Sequence, residues 1–443
     1  MDVQKIQKKL GGEYTFRVLL LVFLILIILF PLGLIIDIVE DRSQTAAYAE
    51  MDIMKAWGGM LTEAGPVITI PALRNETIVK KMEDGKSKVE RVNTPFTFTI
   101  APKNLTISAD LNTEIRKRGI FSVPLFYGTL TLKGSFDPAL ALEAVQPGEK
   151  LNFSQAEMFV YFGDLKGVRA IKSAKWSDKE LFFQPGGSSD LFYGSKSIFA
   201  ALKGFENKEM AFEISFDIQG GQSLRFAPIA QNTKTVAASD WGSPSFQGSF
   251  LPTGSHITDN SFSAEWNINY LSREVPLFWR DGISLSESMF GVDFYRAIDT
   301  YSLNTRAVKY AILIVIVPFL TLFLLEIVAK VRIHPVPYLL CGVGNAVFYL
   351  LLLSLSEQIA FYAAYLIAAA AVVALLALYA RSLLPTWTKA GFMGFAVLLS
   401  YLLLYAVLNA ESYALLIGSL VTFATIAFVM FMTRNVDWYG EKP

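Results

Sequence analysis

Apolar positions fall along this chain in two rhythms. At both ends they run unbroken: Val18–Ile36 holds 19 consecutive uncharged residues, close to the ~20 a helix needs to cross the hydrocarbon core of a bilayer. Further runs are Tyr310–Leu325 with 16, reaching Ala329 when Glu326 is counted at an interface, then Pro335–Ser356 with 22 and Gln358–Ala380 with 23. Ala390–Ala410 gives 21 and Ser412–Thr433 gives 22. The runs predict six transmembrane α-helices, one N-terminal and five C-terminal. Between them the rhythm changes to period two, the mark of half-buried strands. Met210, Phe212, Ile214, Phe216 and Ile218 alternate with polar or small residues, and Phe262, Ala264, Trp266, Ile268 and Tyr270 do the same. Shorter strands are expected at Val67–Ile70, Phe96–Ile100, Thr129–Phe136 and Leu181–Gln184, with turns at Pro147-Gly148, Pro185-Gly186-Gly187, Gly220-Gly221 and Asp281-Gly282. An antiparallel β domain or sandwich follows, with 80–88 as a polar hairpin tip and 283–307 turning helical.

The expected fold class is thus an integral membrane protein with a large β-rich domain inserted between helices 1 and 2. Its layout is an N-terminal stretch 1–17, a span 18–36, the β-rich domain 37–307, spans 308–329, 335–356, 358–380, 390–410 and 412–433, and a tail 434–443. The first apolar run exceeds the ~7–15 residues of a cleaved signal and lacks a small-x-small site before Asp37, so it reads as an uncleaved anchor. Ten basic residues flank one side of the spans: Lys5, Lys8, Lys9, Arg17, Lys330, Arg332, Arg381, Lys389, Arg434 and Lys442. The short loops on the other side carry Glu357 and Glu411 and no Lys or Arg. Both termini are therefore expected in the cytoplasm and the β-rich domain outside it. Arg306 and Lys309 fall on the outer side, at the end of a long exported segment where the rule has little force.

Composition sharpens this picture. Hydrophobic residues make up 53% and charged residues 18%, below the ~25% usual in soluble domains. Residues 37–307 hold 28 of the 39 Lys/Arg and 32 of the 39 Asp/Glu. The segment is near neutral and carries no basic stripe, which excludes nucleic acid as a partner. Arg116-Lys117-Arg118 reads as a solvated turn. The one cysteine, Cys341, lies in an apolar run, so the β-rich domain has no disulfide. Two histidines, His256 and His334, cannot build a histidine/cysteine zinc cage. No nucleophile elbow, phosphate loop or metalloprotease helix is present. No catalytic residue, cofactor or metal is assigned.

Polar residues at membrane depth are costly, and each is a functional hypothesis by default. Glu326 is either a working carboxylate or an interfacial residue beside Lys330 and Arg332. Asn345 is either part of a site or one half of an interhelical hydrogen bond. Glu357 sits in the turn between the third and fourth spans and is expected to reach outer water. His334 precedes Pro335 and reads as a helix cap or interface residue. Pro318 frees a backbone carbonyl and should kink its span. Gly342-x-Gly344, inside a span and after no strand, is expected to permit close helix packing.

Several motifs together resemble the CreD family of bacterial inner-membrane proteins. They are Gly65-Pro66 through Ile70-Pro71, Ser245-Phe246-x-Gly248-x-Phe250-Leu251-Pro252, and Asp299-x-Tyr301 with Arg306-Ala307-x-Lys309-Tyr310-Ala311. The densest is His334-Pro335-x-x-Tyr338-Leu339-Leu340 followed by Phe348 through Glu357, and Thr433-Arg434-Asn435-x-Asp437-Trp438-Tyr439 closes the chain. Pro337 stands where the family often has Gln, and Gln358 where it often has His. The resemblance implies an inner-membrane location, a periplasmic β-rich domain and a link to cell-envelope integrity under a two-component regulon, with no established enzymatic activity. The expected function is a non-enzymatic protein supporting the envelope, whose partners are the lipid bilayer and unidentified periplasmic envelope components. The alternatives are a transporter or flippase working through Glu326 and Asn345, and a membrane-bound envelope enzyme.

Overall fold

The computed structural model describes residues 13–81, 87–186, 196–205, 208–280, 282–283, 288–294, 300–329, 331–410 and 414–434. Lys5, Lys8, Lys9, Lys330, Glu411, residues 82–86 of the expected 80–88 tip, Asp281 and the closing motif beyond Arg434 lie outside them. The chain forms two compact units, Ala47–Ala297 and the segments Met1–Ala46 with Ile298–Pro443.

Helix α1 (Glu13–Trp57) is 45 residues long and continues past Ile36, where the apolar run ends. Charge at Asp37, Glu40, Asp41 and Arg42 ends hydrophobicity but not helix propensity, and from Asp37 to Trp57 there is no Gly or Pro. Gly58 and Gly59, at φ +118° and +69°, stop it, with the Gly59 N–H donating to the Met54 carbonyl at 2.7 Å. This is the left-handed ending that glycine permits.

The β-rich unit is a two-sheet structure. Among the described residues one sheet has ten strands and the other eight. The long strand Leu61–Lys81 organises the first: it pairs antiparallel with Ser87–Ile100, Glu149–Leu151 and Glu157–Phe162, and parallel with Ser223–Phe226. The second grows from the hairpin of Asn104–Arg118 with Phe121–Phe136, extended on one side by Met210–Gly221 and on the other by Asn232–Ser239. A short helix α2 (Pro138–Leu142) follows that hairpin. In Met210–Gly221 the residues buried and less buried alternate as the sequence requires. Aromatic rings from both sheets make one core, with Phe162 edge-on to Phe216 at 5.4 Å and Trp266 against Phe290 at 5.5 Å.

Four expectations need correction. The Asn232–Ser239 strand lies parallel to Asn104–Arg118 and Leu61–Glu63 lies parallel to Ser223–Phe226, so the sheets are not purely antiparallel. Phe290–Phe294, inside the stretch read as helical, is a strand. It pairs with Ser223–Phe226 and Pro244–Gly248, distant partners that supply its conformation. Within Leu181–Gln184 only Gln184 belongs to a strand, Gln184–Pro185. Arg116–Arg118 end a strand paired with Phe121–Val123 rather than forming the turn, which falls on Gly119; Arg116 stacks its guanidinium 3.6 Å from the Trp57 ring.

Two carboxylates in this unit are unusual. Glu149 is fully buried and held by Arg280 (2.8 and 2.9 Å) and Arg74 (3.2 Å). Hydrogen bonding from the Arg280 guanidinium is the main reason its pKa falls to about 2, against the cost of burial. Glu63, also fully buried, has neither side-chain oxygen hydrogen-bonded. Its register partners are Phe162 and Phe226, which share its face of the sheet. Burial in these apolar surroundings pushes the carboxyl well above the usual range.

The helical unit holds the first part of α1, then α3 (Thr300–Lys309), α4 (Ala311–Ala329), α5 (Pro335–Ser356), α6 (Phe361–Leu383), α7 (Trp387–Asn409) and α8 (Ala414–Thr433). Among the described residues five helical segments are long and apolar enough to span a membrane: α1, α3 with α4, α5, α6 and α7. Leu24, Ile28, Leu32, Ile35 and Val39 of α1 are buried at helical spacing. A Cβ on Gly342 would stand 2.8 Å from the Phe319 ring and 2.9 Å from Ile28, so this glycine lets α1 and α4 approach α5 closely.

Candidate functional site

The buried polar side chains of the helical unit gather at three depths. At the first, α4 brings Glu326 to the loop before α5. Its carboxylate, 5% exposed, is ion-paired with Arg17 of α1. It accepts a hydrogen bond from the Tyr338 hydroxyl at 2.7 Å and from the Ile333 N–H at 3.2 Å. A recess of about 160 Å³ opens beside this group, walled by Arg17, Phe323, Glu326 and Tyr338 among others. The sequence set Glu326 beside Lys330 and Arg332, whereas its cationic partner comes from the far end of the chain. His334 starts α5 as its N-cap: its Nδ1 accepts from the Val336 N–H at 3.3 Å, and Pro335 takes the position where no N–H is needed.

At the second depth, two residues noted separately prove to be one device. Pro318 has no N–H, which orphans the Ile314 carbonyl one turn earlier in α4. The Asn345 side-chain amide, completely buried on α5, donates to that carbonyl at 3.0 Å. Its own oxygen accepts from the Tyr401 hydroxyl of α7. The Tyr401 carbonyl in turn accepts from the Tyr365 hydroxyl of α6 at 2.6 Å. Four helices are joined through one proline defect.

At the third depth, Glu357 ends α5. It does not reach out freely as expected: Arg42 of α1 holds both oxygens in a forked contact at 2.8 and 2.9 Å, and the Tyr301 hydroxyl of α3 donates at 3.0 Å. Its side chain is 12% exposed. Beside it Asn304 donates to the Ser356 hydroxyl at 2.9 Å and to the Thr300 carbonyl at 2.9 Å. Forked, charge-assisted contacts of this kind are the stronger and more directional class of hydrogen bond.

The two carboxylates therefore grip α1 at Arg17 and Arg42. Twenty-five residues of helix rise about 37 Å, somewhat more than the ~30 Å hydrocarbon core, which sets the grips near opposite ends of the span. Sequence reading found the acids and missed the bases. In the sequence Arg17 reads only as an orientation signal, and Tyr301 and Tyr338 stand within the family-like motifs without a role of their own. Arg42 follows six residues after the apolar run, one usable signal that the helix went on. Among the described residues no group of three or more His, Cys, Asp or Glu is arranged to hold a metal ion.

Comparison with known proteins agrees with the earlier resemblance. The family model described as inner membrane protein CreD matches residues 13–439. The inner membrane protein CreD of Escherichia coli (strain K12) is 29% identical over 421 residues, covering 94% of this chain and 92% of that protein.

Proposed function

The chain belongs to the CreD family of inner-membrane proteins, and from that premise we propose that it supports the cell envelope through its periplasmic β-rich unit, with the helical unit serving as a braced anchor. It is a non-enzymatic, multi-pass inner-membrane protein. Six spans with both termini in the cytoplasm form part of the same reading, supported by the distribution of Lys and Arg and by the apolar character of α8 across Leu416–Ala427. The β-rich unit meets envelope components of the periplasm.

The observation that carries the proposal is how the intramembrane polar groups are used. A transport path needs polar groups that can exchange partners. Glu326, Asn345 and Glu357 are each engaged by side chains from other helices, and Asn345 and Glu326 are almost fully covered. They brace helices. The transporter reading keeps one specific support, the small recess beside Glu326.

Complementation of an envelope defect separates the two. Glu326→Gln removes the charge and keeps one oxygen, enough for the Ile333 N–H, while its amide NH2 can donate to the Tyr338 hydroxyl in place of the bond that the second carboxylate oxygen accepted. With a braced anchor the variant complements, provided its membrane abundance matches the wild type, whereas replacing 60–297 by a flexible linker abolishes function. An abundant Glu326→Gln protein that fails, alongside a linker variant that succeeds, would move the function into the helical unit.

A further inference from the structure

Three helices of the membrane unit do not close on one another. Between α4, α7 and α8 lies a crevice of about 470 Å³, within the ~300–1,000 Å³ of ordinary ligand sites. Its walls come from side chains such as Ile314, Val317, Leu404, Val407 and Ile426. Two hydroxyls on the wall are already used by their own helices: Ser400 donates to the Val397 carbonyl at 2.7 Å and Thr422 to the Gly418 carbonyl at 2.8 Å. Thr425 and Tyr310 bring the remaining hydroxyls to a wall that is otherwise apolar. In a bilayer it will not close by hydrophobic pressure, because lipid tails are as apolar as its walls. Left empty, its lining forfeits dispersion contacts on one side. A slender apolar chain restores them.

The mouth of the crevice has a charge. Tyr310 lines it, and the Tyr310 N–H donates to the Arg306 carbonyl at 3.3 Å, so the helical course runs on through this junction. Arg306, Tyr310, Ile314 and Val317 then follow one another on a single face at spacings of four, four and three. Arg306 is half-buried and Lys309 is exposed. Arg17 and Arg42 each have a carboxylate partner; neither Arg306 nor Lys309 is paired with one among the described residues. These two cations stand where the β-rich periplasmic unit hands over to the membrane, beside an apolar slot with no charge of its own to balance them.

The geometry points to a bound anionic phospholipid of the outer leaflet, one acyl chain in the α4–α7–α8 crevice and its phosphate against Arg306 and Lys309. The charge complementarity selects an anionic headgroup over a zwitterionic one, and the apolar wall selects a lipid over a soluble phosphate. This binding is independent of whether the β-rich unit supports the envelope.

Native mass spectrometry of the full-length protein in mild detergent, with phosphatidylglycerol or phosphatidylethanolamine added, tests it. The wild type should retain one phosphatidylglycerol at detergent levels that strip phosphatidylethanolamine. Arg306→Gln with Lys309→Gln should weaken phosphatidylglycerol retention about twenty-five-fold, about fivefold per charge, and leave phosphatidylethanolamine unaffected. Gly418→Leu should displace both lipids: the glycine lines the crevice, and a Cβ there meets nothing within 4 Å, so the larger side chain fills space without a clash. Equal retention of the two lipids by the wild type would overturn the proposal. So would phosphatidylglycerol retention untouched by the charge variant, or a dimer whose formation Gly418→Leu abolishes, since a second copy would then be the occupant.

Discussion

Replacing Pro318 should make the loss of Asn345 less costly. In the native bundle Asn345→Ala strands two buried groups, the Ile314 carbonyl and the Tyr401 hydroxyl, and leaves a small cavity. Interhelical hydrogen bonds in membranes are worth ~0.6 kcal/mol on average and up to ~2 kcal/mol, so the two lost bonds should cost about 1–3 kcal/mol before the cavity is counted. Pro318→Ala restores an N–H that the Ile314 carbonyl can accept from within α4. In that background Asn345→Ala loses only the Tyr401 contact and opens the same cavity, and its cost should fall by about 1 kcal/mol. The cavity contribution cancels in the cycle, leaving the coupling between residues 318 and 345. Unfolding of the full-length protein in mixed micelles by titration with sodium dodecyl sulfate, read by helical circular dichroism, measures all four corners. If Asn345→Ala costs the same in both backgrounds to within ~0.3 kcal/mol, the amide is not substituting for the proline's missing donor and the account is wrong.

Other outcomes follow from the same contacts. Glu63 has a folded-state pKa raised above its ordinary 4.5, so the stability linked to its proton is complete below pH 4.5 and is lost as pH climbs from there toward the raised value. Glu63→Leu should therefore raise the melting temperature of the β-rich unit at pH 8 more than at pH 4, and an equal gain at both would contradict the burial reading. Glu149, lowered to about 2 by Arg280, works in the opposite sense: its contribution is present above pH 4.5 and fades as pH falls toward 2, so Glu149→Gln should destabilise at pH 7 and converge on the wild type near pH 2. Arg42→Gln leaves Glu357 mostly buried with only Tyr301 to hold it, and should cost at most the ~3–5 kcal/mol of a broken buried pair, less for the partial exposure of Arg42; Arg42→Gln with Glu357→Gln should recover part of the loss, measured by the same detergent titration. A reporter active only outside the cytoplasm should work when fused after Ser177 or Ser356 and stay silent after Lys389 or Glu441; activity at Lys389 would break the six-span layout.

The elements that sequence disclosed are those whose cause is local. Unbroken apolar runs mark spans because lipid tails and the interior of the helical bundle are both apolar, so every face of the helix is apolar, and alternation at Met210–Ile218 marks a strand because its two faces meet different surroundings. What stayed hidden depends on distance. Phe290–Phe294 is a strand because Ser223–Phe226 and Pro244–Gly248 flank it, and nothing within its own five residues announces that. Arg17 and Glu326, or Arg280 and Glu149, are ordinary charges until the fold joins them. Pro318 and Asn345 were both visible as anomalies. Their connection was not, since it rests on which way α5 turns its Asn345 face.

The pairing of Leu61–Lys81 also bears on how the protein is made. This strand is the first of its unit to leave the membrane, yet its opening residues pair in parallel with Ser223–Phe226, and that strand pairs next with Phe290–Phe294. Sequential export therefore delivers the hub and its partner Ser87–Ile100 early, while backbone donors and acceptors along the Leu61–Glu63 edge wait for the two later strands. The last of them emerges just ahead of α3. A nascent chain halted anywhere before Phe290 would present an incomplete sheet at the outer face of the membrane, the kind of surface that invites wrong pairing or a holding chaperone. Translocation and closure of this sheet thus finish almost together, as the chain returns to the bilayer.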